Sequence, residues 1–197
     1  MNYENSLTPL FIIRTCKQRN GRFEHYQKFI PDLLECYDNF EGENTSMQNM
    51  RKALIMAIER RKSAVFIEDD IILCNDFYNK ILAEISKYRY NVIQFFSMRK
   101  DDLTIGSRFI AGRKYLMNQC FYMPLEISRL ALKYFDEFEQ NRTDNNIGGT
   151  DSLIQYVLKK HKFWYWNVVP NLVNHIDGVS AIDKRRSSKR QSLTFRL

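Results

Sequence analysis

Long apolar runs are absent from the sequence, and its cysteines are few. No run approaches the roughly 18–20 apolar residues that a membrane-spanning helix needs. The four cysteines are scattered without C-x-x-C spacing, which argues against a zinc site or a disulfide framework. The opening residues, MNYENSLTPLFIIRTC, contain Glu4 and lack the basic start of a secretory signal. We therefore expect a cytoplasmic protein without a transmembrane segment.

Two motif classes of phosphate chemistry are also missing. The sequence has no G-x-x-x-x-G-K-[ST] loop, which speaks against a P-loop phosphoryl transferase. Beyond residues 68–70 there is no second obvious acidic cluster of the kind that two-metal nucleases use. A metal-dependent phosphoryl transferase or nuclease is therefore the more distant alternative for this chain.

Basic charge is concentrated at the end of the chain. The net charge is +7, and residues 184–197 hold six basic side chains and no acid. In the rest of the chain 24 basic residues nearly balance 23 acidic ones. We expect one domain over 1–183 and a basic tail over 184–197. Such a tail is typical of polyanion binding, although it also suits a solvated chain end or a non-catalytic nucleic-acid-binding module.

Strand and helix patterns alternate through the first half of the chain. This alternation predicts an open, largely parallel α/β sheet. A β-rich stretch at 107–124, broken by Gly112, predicts a hairpin. The other predicted strands are 7–16, 36–40, 64–67, 91–98 and 162–169, and the main predicted helices are 46–62, 75–88, 126–140 and 150–161.

Three adjacent carboxylates follow the apolar strand at 64–67, in the run AVFIEDDIIL. Burying Glu68, Asp69 and Asp70 without partners would cost several kcal/mol each, about as for any unpaired buried charge. Ligands of open α/β sheets bind outside the carboxyl ends of the strands, where this run falls. The run therefore suits Mg²⁺ or Mn²⁺ bridging to substrate phosphates. A solvated turn without a function explains the run equally well.

Two more candidates lie in the second half of the chain. His175 follows the last predicted strand in a turn that contains Gly178, and a neutral imidazole is a good ligand for Mn²⁺-like ions. Asp151 follows Gly148-Gly149 at the start of a helix, where it suits a general base. A carboxylate in the first turn also stabilises a helix without any catalytic role.

Together these stretches resemble a GT-A glycosyltransferase over roughly residues 8–183. FIIRTCKQR resembles the first strand and nucleotide-contacting turn of that family, and the run from Asn44 to Leu73 resembles its helix–strand unit ending in a D-x-D-type motif. PNLVNHIDGVS resembles the distal His-Gly-Ser segment. The resemblance implies a GT-A fold, a Rossmann-like mixed open sheet flanked by helices.

The resemblance also implies roles for the acidic residues and the histidine. Asp70 and His175 would hold Mn²⁺ or Mg²⁺. Asp69 would face the ribose or the water shell of the ion, and Glu68 would hold neighbouring backbone or sugar. Asp151 would be the base of an inverting reaction, whereas a retaining enzyme would need no such residue.

A further set of residues would bind the donor, a nucleotide-diphosphate sugar and by resemblance a UDP-sugar. These residues would line the nucleotide pocket, approach the base or close over the diphosphate. They are Arg14, Thr15, Asn49, Arg51, Ser180 and Lys184, with Arg185 as an alternative to Lys184.

The basic tail favours a polyanionic acceptor. One acceptor is DNA that carries a hydroxymethylated pyrimidine, as compact phage-type glycosyltransferases modify it. The other is a lipopolysaccharide or a different cell-surface glycan at an anionic membrane. DNA is slightly favoured because residues 183–192 are polar throughout and offer no amphipathic membrane anchor.

Overall fold

The computed structural model describes residues 8–16, 22–39, 45–140, 149–176 and 190–197. They form nine strands and seven α-helices. In chain order these are β1 (Leu10–Cys16), α1 (Arg22–Gln27), β2 (Leu34–Asp38), α2 (Thr45–Glu59), β3 (Ala64–Glu68), β4 (Ile71–Leu73), α3 (Phe77–Tyr88), β5 (Val92–Gln94), α4 (Asp102–Ile105), β6 (Arg108–Ala111), β7 (Cys120–Met123), α5 (Leu125–Lys133), α6 (Phe135–Gln140), α7 (Thr150–Lys160), β8 (Trp164–Asn167) and β9 (Val173–His175).

Seven strands form one open sheet in the order β2-β1-β3-β7-β5-β8-β6. Three of its six pairings are parallel, namely β1 with β2, β1 with β3 and β5 with β8. The other three pairings are antiparallel. The predicted fold class, a Rossmann-like mixed open α/β sheet flanked by helices, is confirmed, whereas the largely parallel pairing expected from alternation alone is not.

Helices cover both faces of the sheet, which explains why β1 reads as a continuous apolar run. Ile13 packs in one core cluster with Phe77 and Ile81 of α3. Its neighbour Ile12 packs in the other cluster with Met50 and Leu54 of α2. Because successive side chains of a strand point to opposite faces, β1 contributes to both clusters.

The hairpin predicted at 107–124 is wrong. β6 pairs with β8, whereas β7 pairs with β3 and β5, so the two strands are separated in the sheet. Gly112 follows β6, and a Cβ there would collide with Leu158 of α7 and with the Phe163 carbonyl oxygen. The glycine therefore permits close packing against a helix and does not form a hairpin turn.

A separate two-stranded sheet, not anticipated from sequence, joins distant parts of the chain. β4 and β9 pair antiparallel, with Ile71 opposite His175 and Leu73 opposite Val173. Each strand has only three residues, too short for alternation to reveal it. This pairing brings His175, in the distal segment that the sequence singles out, next to the acidic run at 68–70.

The last eight residues pack against the domain. The Ser192 hydroxyl donates to Asn171 Oδ1 at 2.6 Å, and the Ser192 amide donates to Asn174 Oδ1 at 2.8 Å. Phe195 packs against the core cluster that contains Phe95 and Leu172. The remainder of the predicted tail, 184–189, lies outside the described residues.

Asn171 should be the main anchor of this C-terminal segment. Its side chain, 1% exposed, accepts from the Ser97 amide at 2.9 Å and donates to the Val168 carbonyl at 2.7 Å. Asn171→Ala leaves a buried amide without an acceptor, so we expect about 2 kcal/mol or more of lost stability in urea unfolding. Asn75→Ala, at an exposed position, is the control. Equal midpoints for both variants would contradict the anchoring role.

Candidate functional site

The site lies where β1 and β3 end side by side. These strands are parallel, and Arg14 lies opposite Glu68 in their register. The guanidinium of Arg14 pairs with the Glu68 carboxylate, and the two side chains are 4% and 22% exposed. Glu68, the last residue of β3, is thus neutralised by a cation from the neighbouring strand, as a buried charge requires.

Helix α1 holds the backbone of the acidic run. The Tyr26 hydroxyl donates to the Ile71 carbonyl at 2.5 Å and lies 3.3 Å from the Asp69 carbonyl oxygen. Arg22 Nη1 donates to the same Asp69 carbonyl at 2.8 Å. Burial raises the pKa of Tyr26 to about 12, so the phenol stays protonated and able to donate at neutral pH. α1 therefore fixes the turn between β3 and β4.

The β4–β9 pairing places His175 against Asp70. His175 Nε2 lies 3.1 Å from Asp70 Oδ2, and the Ile176 amide donates to the Asp70 carbonyl at 2.8 Å. This contact does not have hydrogen-bond geometry, and His175 Nδ1 has no hydrogen-bond partner within the described ranges, although the side chain is 3% exposed. A buried imidazole in this state is suited to accept a further ligand.

This pair fits the divalent cation that the resemblance implies. Two ligand atoms at right angles around Mg²⁺, each about 2.1 Å from the ion, are about 3 Å apart. The separation of His175 Nε2 and Asp70 Oδ2 agrees with that value. No group of three or more His, Cys, Asp or Glu side chains suited to a metal occurs in the described part of the chain. The protein would thus supply two ligands, and water or substrate phosphates would have to supply the others.

Asp151 lies in the first turn of α7 and contacts the loop before β7. Its Oδ1 accepts from the Ser152 amide at 3.0 Å, and its Oδ2 lies 3.4 Å from the donating Met117 amide. Two residues beyond Met117, the Gln119 carbonyl accepts from the Glu68 amide at 2.8 Å. Asp151 therefore stands at the same edge of the sheet as the acidic run.

The remaining predicted donor-binding residues have other partners in the structure. The Thr15 hydroxyl donates to Glu35, and Asn49 Nδ2 donates to the Cys36 carbonyl at 2.9 Å, tying α2 to the edge strand β2. The Arg51 guanidinium lies 5.8 Å from the centre of the Phe135 ring. Their roles in nucleotide binding stay predictions. Ser180, Lys184 and Arg185 lie outside the described residues.

Sequence reasoning missed the residues that position the site. Arg22 and Tyr26 hold the acidic turn, and no local signal connects their helix with residues more than forty positions away. Gln94 Nε2 donates to the Met117 carbonyl at 2.5 Å, and Asn118 Nδ2 donates to Thr150. The side-chain amides of Gln94 and Asn118 thus fix the loop before β7, which contains Met117, whose backbone amide donates to Asp151.

Tyr26→Phe tests whether α1 organises the acidic turn. The variant removes a buried donor and leaves the Ile71 carbonyl unsatisfied, so we expect about 1–3 kcal/mol of lost stability. We also expect weaker Mn²⁺ binding in calorimetric titration, because Asp70 lies between the two clamped carbonyls. The control is Tyr78→Phe, since the Tyr78 hydroxyl makes no hydrogen bond within the described part of the chain. Unchanged Mn²⁺ affinity in Tyr26→Phe would contradict the clamp.

Comparisons with known proteins bear on the fold alone. No family model and no curated protein matches the chain. Solved structures do match, among them the crystal structure of A197 from STIV, which is 14% identical with a TM-score of 0.52. The match covers 95% of this chain and 95% of that one. No helix in the described ranges is long and apolar enough to cross a membrane. At this identity the likeness shows a shared open α/β fold.

Proposed function

We propose that the chain is a metal-dependent glycosyltransferase that moves a sugar from a nucleotide-diphosphate sugar to a hydroxyl acceptor. The observation that carries the proposal is the approach of His175 Nε2 to Asp70 Oδ2 at the carboxyl edge of the sheet. Asp70 and His175 would hold Mn²⁺ or Mg²⁺. When bound, the ion stabilises the negative charge that grows on the departing diphosphate.

The other residues of the site bind the donor and move one proton. Arg14, whose guanidinium pairs with Glu68, would line the nucleotide pocket. The acceptor oxygen forms a bond to the sugar C1 as the C1–O bond to the diphosphate breaks, and the electron pair leaves with the diphosphate. Asp151 takes the proton of the acceptor hydroxyl. Each carboxylate oxygen accepts more than one hydrogen bond, so its backbone partners leave room for this proton. The anomeric configuration is inverted.

DNA with a hydroxymethylated pyrimidine is the acceptor we favour, and a lipopolysaccharide or other cell-surface glycan is the alternative. The net charge of +7 supports a polyanionic acceptor in either case. The donor is taken to be a UDP-sugar. Release of nucleoside diphosphate from a panel of nucleotide sugars, with Mn²⁺ and with EDTA, tests the reaction. Cleavage of DNA without any nucleotide sugar would support the metal-dependent nuclease instead.

Asp70→Asn should abolish metal-dependent release of nucleoside diphosphate. The amide cannot supply a charged ligand, so Mn²⁺ affinity should fall by more than the roughly 10- to 100-fold that loss of an outer partner causes. His175→Gln should weaken Mn²⁺ binding in the same calorimetric titration. The control Asp32→Asn removes an exposed acid and should leave both values unchanged. Wild-type Mn²⁺ affinity in both site variants would exclude this metal site.

Asp151→Asn should lower kcat about 10²- to 10⁴-fold, the usual contribution of a general base. Donor binding should change little, so kcat and kcat/KM should fall together. Asp136→Asn is a matched control, because Asp136 also lies in the first turn of a helix and its loss reports on helix stabilisation alone. A rise in donor KM with unchanged kcat would make Asp151 a binding residue.

A further inference from the structure

A second concave surface lies at the outer edge of the sheet, away from the acidic run. It surrounds β6, the last strand in the sheet order, and encloses a cavity of about 260 Å³. Four of its lining residues are cationic, namely Arg99, Arg108, Arg113 and Lys114, and one is acidic, Asp101. We refer to these five residues together with Trp164 as the β6 surface. Its net charge of +3 contrasts with the near neutrality of residues 1–183.

The four cations of the β6 surface differ in how far other residues balance their charge. Arg108 pairs with the buried Asp102 at 2.9 Å, so its charge is already balanced. Arg99 donates to the Tyr165 hydroxyl at 2.9 Å and to the Lys114 carbonyl, which fixes its position without neutralising it. The side chains of Arg113 and Lys114 are exposed, and the described residues provide neither of them with an ion pair. Three cationic side chains, those of Arg99, Arg113 and Lys114, therefore remain for a ligand, against the one carboxylate of Asp101.

Trp164 adds a flat apolar face to these charges. It lies opposite Ala111 in the β6–β8 register and is 56% exposed. The other tryptophan, Trp166, donates its indole N–H to Glu84 at 2.9 Å, and its ring centre is 4.9 Å from that of Phe109. An exposed indole beside uncompensated cations suits a ligand that carries both aromatic rings and phosphates.

We propose that the β6 surface binds single-stranded nucleic acid, with phosphates at Arg99, Arg113 and Lys114 and one base stacked on Trp164. In the β6–β8 register Arg108 lies opposite Asn167, the last residue of β8, so the surface begins at the carboxyl ends of the parallel strands, four positions along the sheet from β3 and the acidic run that follows it. Binding itself does not depend on sugar transfer. Only its use for holding a DNA acceptor rests on the proposed function.

Titration of a fluorescein-labelled oligothymidylate, without nucleotide sugar, tests the contact with phosphates. Each neutralised phosphate contributes about −0.7 to the slope of log K against log salt for single strands. The three cations therefore contribute about −2 to the slope, and R113A/K114A should flatten it by about 1.4. R129A/K133A removes the same charges from α5 and should leave the slope unchanged. Equal slopes in the two double variants would overturn the proposal.

Intrinsic fluorescence tests the stacking contact, since Trp164 and Trp166 are the two tryptophans of the chain. Unlabelled oligothymidylate should quench the wild type and Trp166→Phe, but not Trp164→Phe. Trp164→Ala should weaken binding about fivefold or more, the effect of losing one stacked base. Melting curves monitor the folding of each variant.

Two further results would overturn the proposal. One is quenching of Trp164 by phosphatidylglycerol vesicles with none by the oligonucleotide, which would assign the surface to an anionic membrane. The other is retained quenching in Trp164→Phe, which would place the nucleic acid elsewhere. Neither result changes the release of nucleoside diphosphate, so failure here remains distinguishable from failure of the glycosyltransferase proposal.

Discussion

The antiparallel pairing of β4 with β9 is the contact on which the site depends. It joins Ile71–Leu73 to Val173–His175, a hundred residues further along the chain, and the Ile176 amide extends the ladder to the Asp70 carbonyl. It holds Asp70, which directly precedes β4, next to His175, the last residue of β9. Closing so long a loop costs conformational entropy, which the packing of Leu172 and Val173 in the core offsets.

The three adjacent acidic residues, Glu68, Asp69 and Asp70, are tolerated because each of them makes different contacts. Glu68 completes β3 and faces Arg14 across the sheet. Asp69 offers its carbonyl to Arg22 and to the Tyr26 hydroxyl. Asp70 turns toward His175. The carboxylates of Glu68 and Asp70 thus face different groups, Arg14 and His175, which reduces the repulsion between them.

The predictable parts of the fold are those specified by local pattern. β3 and α2 were predicted within a few residues, because apolar continuity marks a buried strand and helical spacing marks an amphipathic helix. The pairing of β6 with β8 was not predictable from Gly112, since a glycine at a helix contact and a glycine in a hairpin turn look the same in sequence. β4 and β9 are too short to carry a pattern, and their pairing is a tertiary property.

The candidate site shows the same difference between features that the sequence predicts and features that only the tertiary structure shows. Asp70 and His175 could be proposed as metal ligands from the sequence because carboxylates and imidazoles are common metal ligands. Tyr26, by contrast, acts through a hydroxyl bonded to backbone carbonyls, which a residue of any type would supply. Residues that hold a turn by its backbone leave no compositional signal at the turn. In this chain, the proposed ligand Asp70 lies in a turn that α1 and β9 hold from outside. The geometry of the site therefore depends on residues such as Arg22 and Tyr26, which no catalytic or metal-binding motif marks in the sequence. Substitutions in α1 are for this reason as informative about the site as substitutions of the carboxylates.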